Sequence, residues 1–300
     1  MLSSVNYSHA AAELLKDGSI EVDRFKCPAW PDSVREALEY NDVYVHFPLR
    51  VGTGTEGAIN IEANQPADLD QVEALLVETN TPVVNLHLAT MVEDFPEIPI
   101  DSLKPEHIEK ITTSLVDDVN SVANRFGKER VVVENVYHGN GEHPRPVYLP
   151  EVISSVVNET GVGFLFDLSH ARLAAEHMGA DIYEYISGLP TGKTREVHVT
   201  GIHRFEGHWI DIAQKAGFDP QLIEQYRGRL VDHLPMTEND WTYLAWALVQ
   251  IEKGIWGEPW VVTFEYGGIG GQFASITDSD VLSEQVPRLE KMVKEASKSN

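Results

Sequence analysis

The stretch "GFLFDLSHARLAAEHM", residues 163–178, joins a predicted strand directly to a predicted helix. Its first residues are large and apolar up to Asp167, as in a buried strand, and a helical pattern follows. His170 stands three residues after Asp167, within the first turn of that helix. A carboxylate at the edge of a hydrophobic core is costly unless a partner compensates its charge. The stretch therefore predicts a βα unit with a compensating group close to Asp167.

The same order of strand and helix repeats along the chain. Predicted strands lie at residues 20–25, 42–47, 82–87, 130–135, 163–167, 195–200, 228–232 and 260–265. Amphipathic segments lie between them, such as residues 105–126, in which apolar residues recur at three- and four-residue steps. Eight strands that alternate with helices indicate an α/β fold and predict a (β/α)₈ TIM barrel. Because no Pro-, Gly- or Ser-rich linker divides the chain, we predict a single domain over residues 1–300.

Two long connections interrupt this alternation, at residues 50–68 and 201–226. Both would lie on the face where such barrels carry their chemistry. The first is rich in glycine, but the spacing of Gly52, Gly54 and Gly57 does not match a dinucleotide-binding fingerprint. We expect a flexible loop there.

Composition limits the possible partners and the cellular compartment. The chain has 23 Lys and Arg against 47 Asp and Glu, a net charge of −24, which disfavours nucleic acid as a partner. Cys27 is its only cysteine, which excludes disulfide frameworks, cysteine-rich zinc sites and iron–sulfur clusters and suits a reducing cytoplasm. No apolar run approaches the roughly 18 residues of a membrane span, and the first residues do not resemble a signal peptide. We therefore expect a cytoplasmic protein without membrane association.

Histidine and acidic residues stand at the ends of the predicted strands. They are His46, His87, Glu134, Asp167, His198, Asp232 with His233, and Glu265, with His170 just beyond the fifth strand. Taken singly, each fits an ordinary hydrogen-bonded core histidine or an ion-paired acid. With 12 His in 300 residues, however, three strands that end in histidine are more than chance provides. Since all strand ends of a barrel meet at one face, we expect these side chains to converge.

Such a group of imidazoles and carboxylates would repel one another, or change their protonation, unless cations lay among them. The set offers only nitrogen and oxygen ligands, which suit iron, zinc or manganese without distinguishing between these metals. One ion uses about three to five protein ligands, so the number favours two or three ions. The sequence therefore predicts a multinuclear metal site.

Several motifs carry a resemblance to a known family. They are "YVHFPLRVGTG" (44–54), "VNLHLAT" (84–90), "VVVENV" (131–136), "FLFDLSHARLAAEHMGADIYEYISGLP" (164–190), "REVHVTGIHR" (195–204) and "VTFEYGG" (262–268). These motifs resemble those of the multinuclear non-heme iron-dependent oxidative enzymes, which include the methanobactin-biosynthesis oxidase and share a xylose isomerase-like barrel. The resemblance implies a cofactor of two or three iron ions. It also implies a set of metal ligands: His46, His87, Glu134, Asp167, His170, His198 and Glu265.

Two positions depart from the family pattern. The family usually has Asn where this chain has His170, and His at that position is similar to the zinc endonuclease IV branch of the superfamily. The family commonly has Asp-x-His at the seventh strand, whereas Asp232 and His233 are adjacent here. Which of these two binds metal is open. His203 or His208 from the longer connection before them is an alternative ligand, unless both are ordinary loop residues. We predict catalytic roles for His170, Asp232 and His233.

The resemblance implies an iron-dependent oxidase or oxygenase that uses O₂. Its substrate would be a cysteine-containing peptide or a small thiol, which a partner protein can present. Arg50, Arg172 and Arg204 follow metal-bearing strand ends and are predicted to hold a substrate carboxylate.

Three other functions remain open at this stage. A zinc phosphodiesterase of the endonuclease IV type is disfavoured by the charge of −24. A divalent-metal sugar isomerase or epimerase would need fewer histidines. The third alternative is a barrel that binds metal ions but catalyses no reaction.

Overall fold

The structure, a computed structural model, describes residues 1–137, 141–270 and 273–298. Its strands are β1 (Leu2–Asn6), β2 (Arg24–Pro28), β3 (Val43–His46), β4 (Leu49–Val51), β5 (Ile59–Asn60), β6 (Gln65–Pro66), β7 (Val84–Leu88), β8 (Val131–Glu134), β9 (Gly163–Asp167), β10 (Thr194–Val199), β11 (Gly201–Arg204), β12 (Leu230–Leu234) and β13 (Val261–Phe264). Its α-helices are α1 (His9–Lys16), α2 (Pro31–Leu38), α3 (Leu69–Glu78), α4 (Pro105–Phe126), α5 (Pro150–Thr160), α6 (Leu168–Met178), α7 (Ile182–Gly188), α8 (His208–Lys215), α9 (Pro220–Tyr226), α10 (Glu238–Glu252) and α11 (Ser279–Ser297).

Most strands belong to one sheet, with the order β3-β2-β1-β13-β10-β9-β8-β7-β4-β5-β6. The pairs β1–β13, β1–β2, β4–β7, β7–β8 and β8–β9 are parallel. Only the short strands β5 and β6 extend this sheet with antiparallel pairs among those with a described register. Parallel strands that alternate with helices confirm the predicted fold class, an α/β (β/α)₈ TIM barrel. Within the described residues, no helix is both long and apolar enough to cross a membrane.

One predicted strand belongs elsewhere, and β1, β4, β5, β6 and β11 were not predicted as strands. Residues 230–234 form β12, which pairs antiparallel with β11 and not with the main sheet. Two of the strands that were not predicted are parallel strands of the main sheet: β4, which pairs with β7, and β1, whose register with β13 begins at Leu2 and Val261. The sequence did not indicate β1 because Ser3 and Ser4 look exposed, whereas both are buried. The eight predicted strands therefore include one that lies outside the main sheet and omit two of its parallel strands.

The fold consists of two compact units, Met1–Tyr44 with Val197–Asn300 and Val45–Glu196, which we call the terminal unit and the central unit. In the central unit, the apolar face predicted for α4 is buried, including Ile111, Leu115 and Val119. In the terminal unit, the apolar face of α11 is buried in the same way. The single domain over residues 1–300 stays a prediction.

The terminal unit also contains a small apolar cluster of its own. β11, α8, α9 and β12 bury side chains against one another, among them Phe205, Ile210, Phe218, Ile223 and Leu234. Gly201 at the start of β11 lies so close to the backbone of Pro235 that a Cβ atom would come within 1.9 Å of its carbonyl oxygen. The connection at residues 201–226 is thus a folded insertion.

The glycine-rich loop of the central unit is anchored by Asp118, a fully buried residue of α4. Its carboxylate accepts hydrogen bonds from the backbone N–H groups of Gly52 at 2.9 Å, Thr53 at 2.8 Å and Gly57 at 3.0 Å. Gly52 also has φ +88°, and an added Cβ would collide with Thr90. The expectation of a flexible loop is therefore wrong for residues 52–57, because one buried carboxylate fixes their backbone.

Asp118→Ala should lower the free energy of unfolding by about 3 kcal/mol or more, because it leaves buried N–H groups without an acceptor. Urea denaturation measures this change. Asp117→Ala is the matched control, because Asp117 is the exposed neighbour on the same helix, and we expect a change within about 0.5 kcal/mol. Equal effects of the two substitutions would show that Asp118 does not anchor the loop.

Candidate metal centre

Three ligand atoms of the central unit lie at the separations expected around one metal ion. His46 Nε2 is 3.2 Å from His87 Nε2. Glu134 Oε2 lies 3.3 Å from His87 Nε2 and 3.5 Å from His46 Nε2. Two ligands that are each about 2.1 Å from an ion stand about 3.0 Å apart at a right angle and about 3.4 Å apart at a tetrahedral angle. The three side chains therefore fit a shared ion.

A second group in the same unit consists of Glu134, Asp167 and His170. All three are buried, and each offers a ligand atom within 4.8 Å of the other two. Glu134 belongs to both groups, with Oε2 close to His46 and His87 and Oε1 3.7 Å from His170 Nδ1. If both groups hold an ion, the Glu134 carboxylate would be shared between them.

Backbone carbonyls fix the proton positions of two of these histidines. His87 Nδ1 lies 2.9 Å from Leu49 O, and His170 Nδ1 lies 3.0 Å from Asn135 O. A carbonyl oxygen can only accept, so Nδ1 carries the proton and donates it, and Nε2 keeps the lone pair. This is the arrangement that prepares a histidine to bind a metal through Nε2.

Two asparagines that the sequence analysis overlooked hold the ligand-bearing segments. Asn85 accepts a hydrogen bond from Phe47 N at 2.7 Å and donates one to Phe47 O at 3.0 Å, beside His46. Asn135 donates to Asp167 O at 2.9 Å and accepts from Asp167 N at 3.0 Å. Both asparagines are buried. In the sequence, the only sign of these two residues was an asparagine within or directly after an apolar strand, in "VVNLH" and "VVVEN".

Asp167 has a second role, as the N-cap of α6. Its Oδ1 accepts a hydrogen bond from the backbone N–H of His170 at 2.6 Å, which is the usual function of an acid at this position. Its Oδ2 lies 3.6 Å from His170 Nδ1. The helix cap therefore accounts for one oxygen of this buried carboxylate and fixes the position of His170 relative to it.

In the terminal unit, the buried carboxylate of Glu265 follows the last residue of β13. The Oε1 atom of Glu265 lies 3.0 Å from Nδ1 of His198, whose exposed fraction is 0%. The same oxygen forms an ion pair with the buried ammonium group of Lys26. The sequence analysis missed Lys26 because the predicted strand stopped at residue 25, whereas β2 continues to Pro28.

Strained backbone marks His233 of the same unit. Its φ is 57°, a left-handed conformation that is uncommon for residues other than glycine and costs about 1–3 kcal/mol. Its Nδ1 lies 3.0 Å from Glu265 O and donates to that carbonyl. Strain of this kind is concentrated at functional sites. Asp232 precedes it and is half-buried, and the choice between the two as ligand stays a prediction.

The remaining predicted residues differ in their surroundings. Arg50 is buried in an ion pair with Asp94 at 2.6 Å and 3.1 Å. Arg172 is buried in α6, while Arg204 is exposed and donates to Gly228 O at 2.7 Å. His203 is half-buried with Nε2 donating to a backbone carbonyl at 2.7 Å, and His208 is exposed. The roles proposed for these side chains in substrate or metal binding stay predictions.

The donor chemistry excludes thiolate. Cys27 is fully buried, and this burial raises the pKa of its thiol. The available ligand atoms are then imidazole nitrogens and carboxylate oxygens, which suit iron, manganese and zinc. Together, fold and side chains define a (β/α)₈ barrel with clustered His, Glu and Asp groups that could hold metal ions.

Comparison with known proteins assigns the chain to a family. The family described as "RiPP precursor modification enzyme MbnB/TglH/ChrH" matches residues 42–252. The chain belongs to this family of enzymes, which modify the precursors of ribosomally synthesised and post-translationally modified peptides. No curated protein matches the chain.

Three solved structures are similar over most of their length, at low sequence identity. Endonuclease IV from Thermus thermophilus is 12% identical with a TM-score of 0.48, covering 98% of this chain and 100% of that one. The crystal structure of AsfvAP:AG is 12% identical with a TM-score of 0.32, covering 87% and 91%. Chitinase from Chromobacterium violaceum ATCC 12472 is 11% identical with a TM-score of 0.34, covering 93% and 99%.

Lys26→Met should lower the free energy of unfolding of the metal-free protein by about 3 kcal/mol, because it leaves the buried Glu265 carboxylate without its cation. Denaturation without metal and with Fe(II) under anaerobic conditions measures the change. If Glu265 binds iron, the loss should be smaller with Fe(II), since the ion then compensates the carboxylate.

Lys16→Met is the control, because Lys16 is an exposed lysine of the same unit. We expect its effect to stay within about 0.5 kcal/mol. A loss no larger for Lys26→Met than for Lys16→Met would contradict the importance of the buried ion pair.

Proposed function

We propose that this protein is an iron-dependent oxidase or oxygenase that uses O₂ to modify a cysteine-containing peptide or a small thiol. The arrangement of His46, His87 and Glu134 is the observation that carries the proposal. Two histidines and one carboxylate around a shared position are the ligand set typical of non-heme Fe(II) oxygenases. Membership of a family that modifies peptide precursors supports a peptide as substrate.

We further propose that the ligands hold two or three iron ions. The central unit would supply His46, His87, Glu134, Asp167 and His170, and the terminal unit would supply His198, Glu265 and either Asp232 or His233. Bound iron would supply one-electron chemistry with O₂. Zinc and manganese suit the same donors, so the metal has to be established by measurement.

The protein's own side chains would prepare the reaction by position and by exclusion of water. Glu134 and Asp167 are 2% and 0% exposed, so little solvent reaches their carboxylates. The carbonyls of Leu49 and Asn135 hold the rings of His87 and His170 in the orientation and tautomer that bind metal. A substrate thiolate would then be a natural additional ligand, because thiolates bind these metals directly.

A partner protein that presents the peptide, and a reducing cytoplasm as the site of action, belong to the same proposal. The reduced state of a substrate thiol suits that compartment. The charge of −24 makes a nucleic acid an unfavourable substrate.

Protein produced with iron supplied should contain at least about two iron ions per chain, since one ion uses only about three to five of the ligands. Elemental analysis together with the optical spectrum measures this. The same protein should consume O₂ in the presence of a cysteine-containing peptide and not with its serine analogue. Zinc as the main metal, with hydrolysis of phosphodiesters in place of O₂ consumption, would favour the endonuclease IV-like alternative.

His170→Ala should remove about one iron ion and leave the fold intact, because the cap of α6 uses the backbone N–H of residue 170. Activity should fall by more than the 10- to 100-fold that is typical when only a supporting residue is lost. Elemental analysis, circular dichroism and O₂ consumption measure these effects. His9→Ala, a control at an exposed histidine that is not a candidate ligand, should keep its metal. Full metal content in the His170→Ala protein would contradict this assignment.

A further inference from the structure

A pocket of the central unit lies apart from the metal ligands. It encloses about 320 Å³, part of which is open to solvent, and it is lined mainly by aromatic and basic side chains. Tyr137, Tyr148 and His177 form one aromatic cluster, with ring centroids 5.3 Å to 5.7 Å apart. Arg145 and His143 complete the polar lining, and Asp101 stands at its exposed side.

Arg145 carries a positive charge that the described part of the chain does not neutralise. Its side chain is half-buried, its Nε atom is buried, and it makes no ion pair or side-chain hydrogen bond with any described residue. Asp101 lines the same pocket but does not pair with it. In a protein with 47 acidic residues against 23 Lys and Arg, an unneutralised guanidinium inside a pocket is unusual. A guanidinium presents a planar set of donors that matches a carboxylate.

A second donor in the pocket also has no acceptor among the described residues. Tyr148 is only 4% exposed, and its hydroxyl makes no hydrogen bond with a described residue. Burial raises the pKa of Tyr148, so the hydroxyl stays protonated and can donate. His143 adds no charge, because burial lowers its pKa and its Nδ1 donates to Thr90 O at 2.7 Å.

We propose that this pocket binds a carboxylate group of the peptide substrate, either an acidic side chain or a C-terminus. The guanidinium of Arg145 and the hydroxyl of Tyr148 would donate to the carboxylate, and the rings of Tyr137 and Tyr148 would pack against the adjoining carbon atoms. A single guanidinium beside Asp101 suits a monoanion better than a phosphate dianion. The proposal rests on the peptide-modifying function proposed above, and it adds a recognition site to it.

Two elements connect the pocket to the metal ligands of the same unit. Tyr137 follows Glu134 by three residues, and His177 follows His170 by seven residues on α6. Seven residues are two helical turns, a rise of about 10 Å. An extended peptide covers that distance in about three residues. The recognised carboxylate would therefore lie about three residues from the residue that is modified.

The test is a titration of ¹³C-tyrosine-labelled protein by NMR, with Tyr137→Phe and Tyr148→Phe to assign the two signals. The probes are N-acetyl-aspartic acid amide for an acidic side chain, N-acetylglycine for a C-terminus, and N-acetyl-asparagine amide as the neutral control. We expect saturable shifts of both signals with at least one acid and none with the asparagine amide. The acid that binds more tightly identifies the source of the carboxylate.

Arg145→Gln should weaken this binding by at least about tenfold, because it removes a charge-assisted pair of hydrogen bonds. Arg145→Lys should bind with intermediate affinity, and Arg195→Gln, an exposed arginine of the same unit, should bind as the unchanged protein does. Unmoved tyrosine signals, equal shifts with the asparagine amide, or unchanged binding by Arg145→Gln would overturn the proposal. The titration measures neither iron content nor turnover, so its failure would leave the proposed oxidase function to be judged separately.

Discussion

The buried carboxylate of Glu134 at the end of β8 is the constraint on which the central unit depends. It is 2% exposed and lies 3.3 Å to 3.7 Å from nitrogens of His46, His87 and His170. An ionised carboxylate in such a place is stable only with a compensating cation. His87 and His170 donate their Nδ1 protons to carbonyl oxygens, which leaves the Nε2 atom of each ring available as a ligand atom. A metal ion beside Glu134 Oε2 and the Nε2 atoms of His46 and His87 would compensate this carboxylate.

The supporting structure keeps this group in place. Asn85 and Asn135 tie neighbouring strand ends together, and Asp167 links the end of β9 to the start of α6 through the helix cap. Asp118 fixes the backbone of the loop that follows β4. Each of these residues is buried and uses hydrogen bonds to backbone atoms, so its geometry is determined by the fold. The candidate ligands are therefore held in place by hydrogen bonds within the protein.

The sequence predicted the elements with a strong local pattern. The apolar face of α4 and the direct passage from β9 into α6 follow from periodicity, and both are present. β1 was missed because buried serines break the apolar signal of a strand. The residues of β12 have strand character, so the sequence indicated a strand there. It was assigned to the wrong sheet because the chain reverses direction through α8 and α9 and so brings β12 beside β11. Whether a segment forms a strand depends mainly on its own residues, whereas the strand with which it pairs depends on the rest of the chain.

The candidate ligands could be named from the sequence because strand ends and residue types are both visible there, and their role as ligands stays a prediction. Lys26, Asn85 and Asn135 were not found, since their roles depend on which strands are neighbours in the sheet. Arg145 carried no signal either, because the absence of a partner among the described residues is recognised only when its surroundings are known.

The most direct test of the metal centre is anomalous diffraction at the iron absorption edge from crystals of the iron-loaded protein. We expect at least two anomalous peaks, one within bonding distance of His46, His87 and Glu134 and another within bonding distance of Glu134 and His170. Anomalous density that avoids Glu134, or none at the iron edge from protein that contains iron in solution, would contradict the bridging carboxylate.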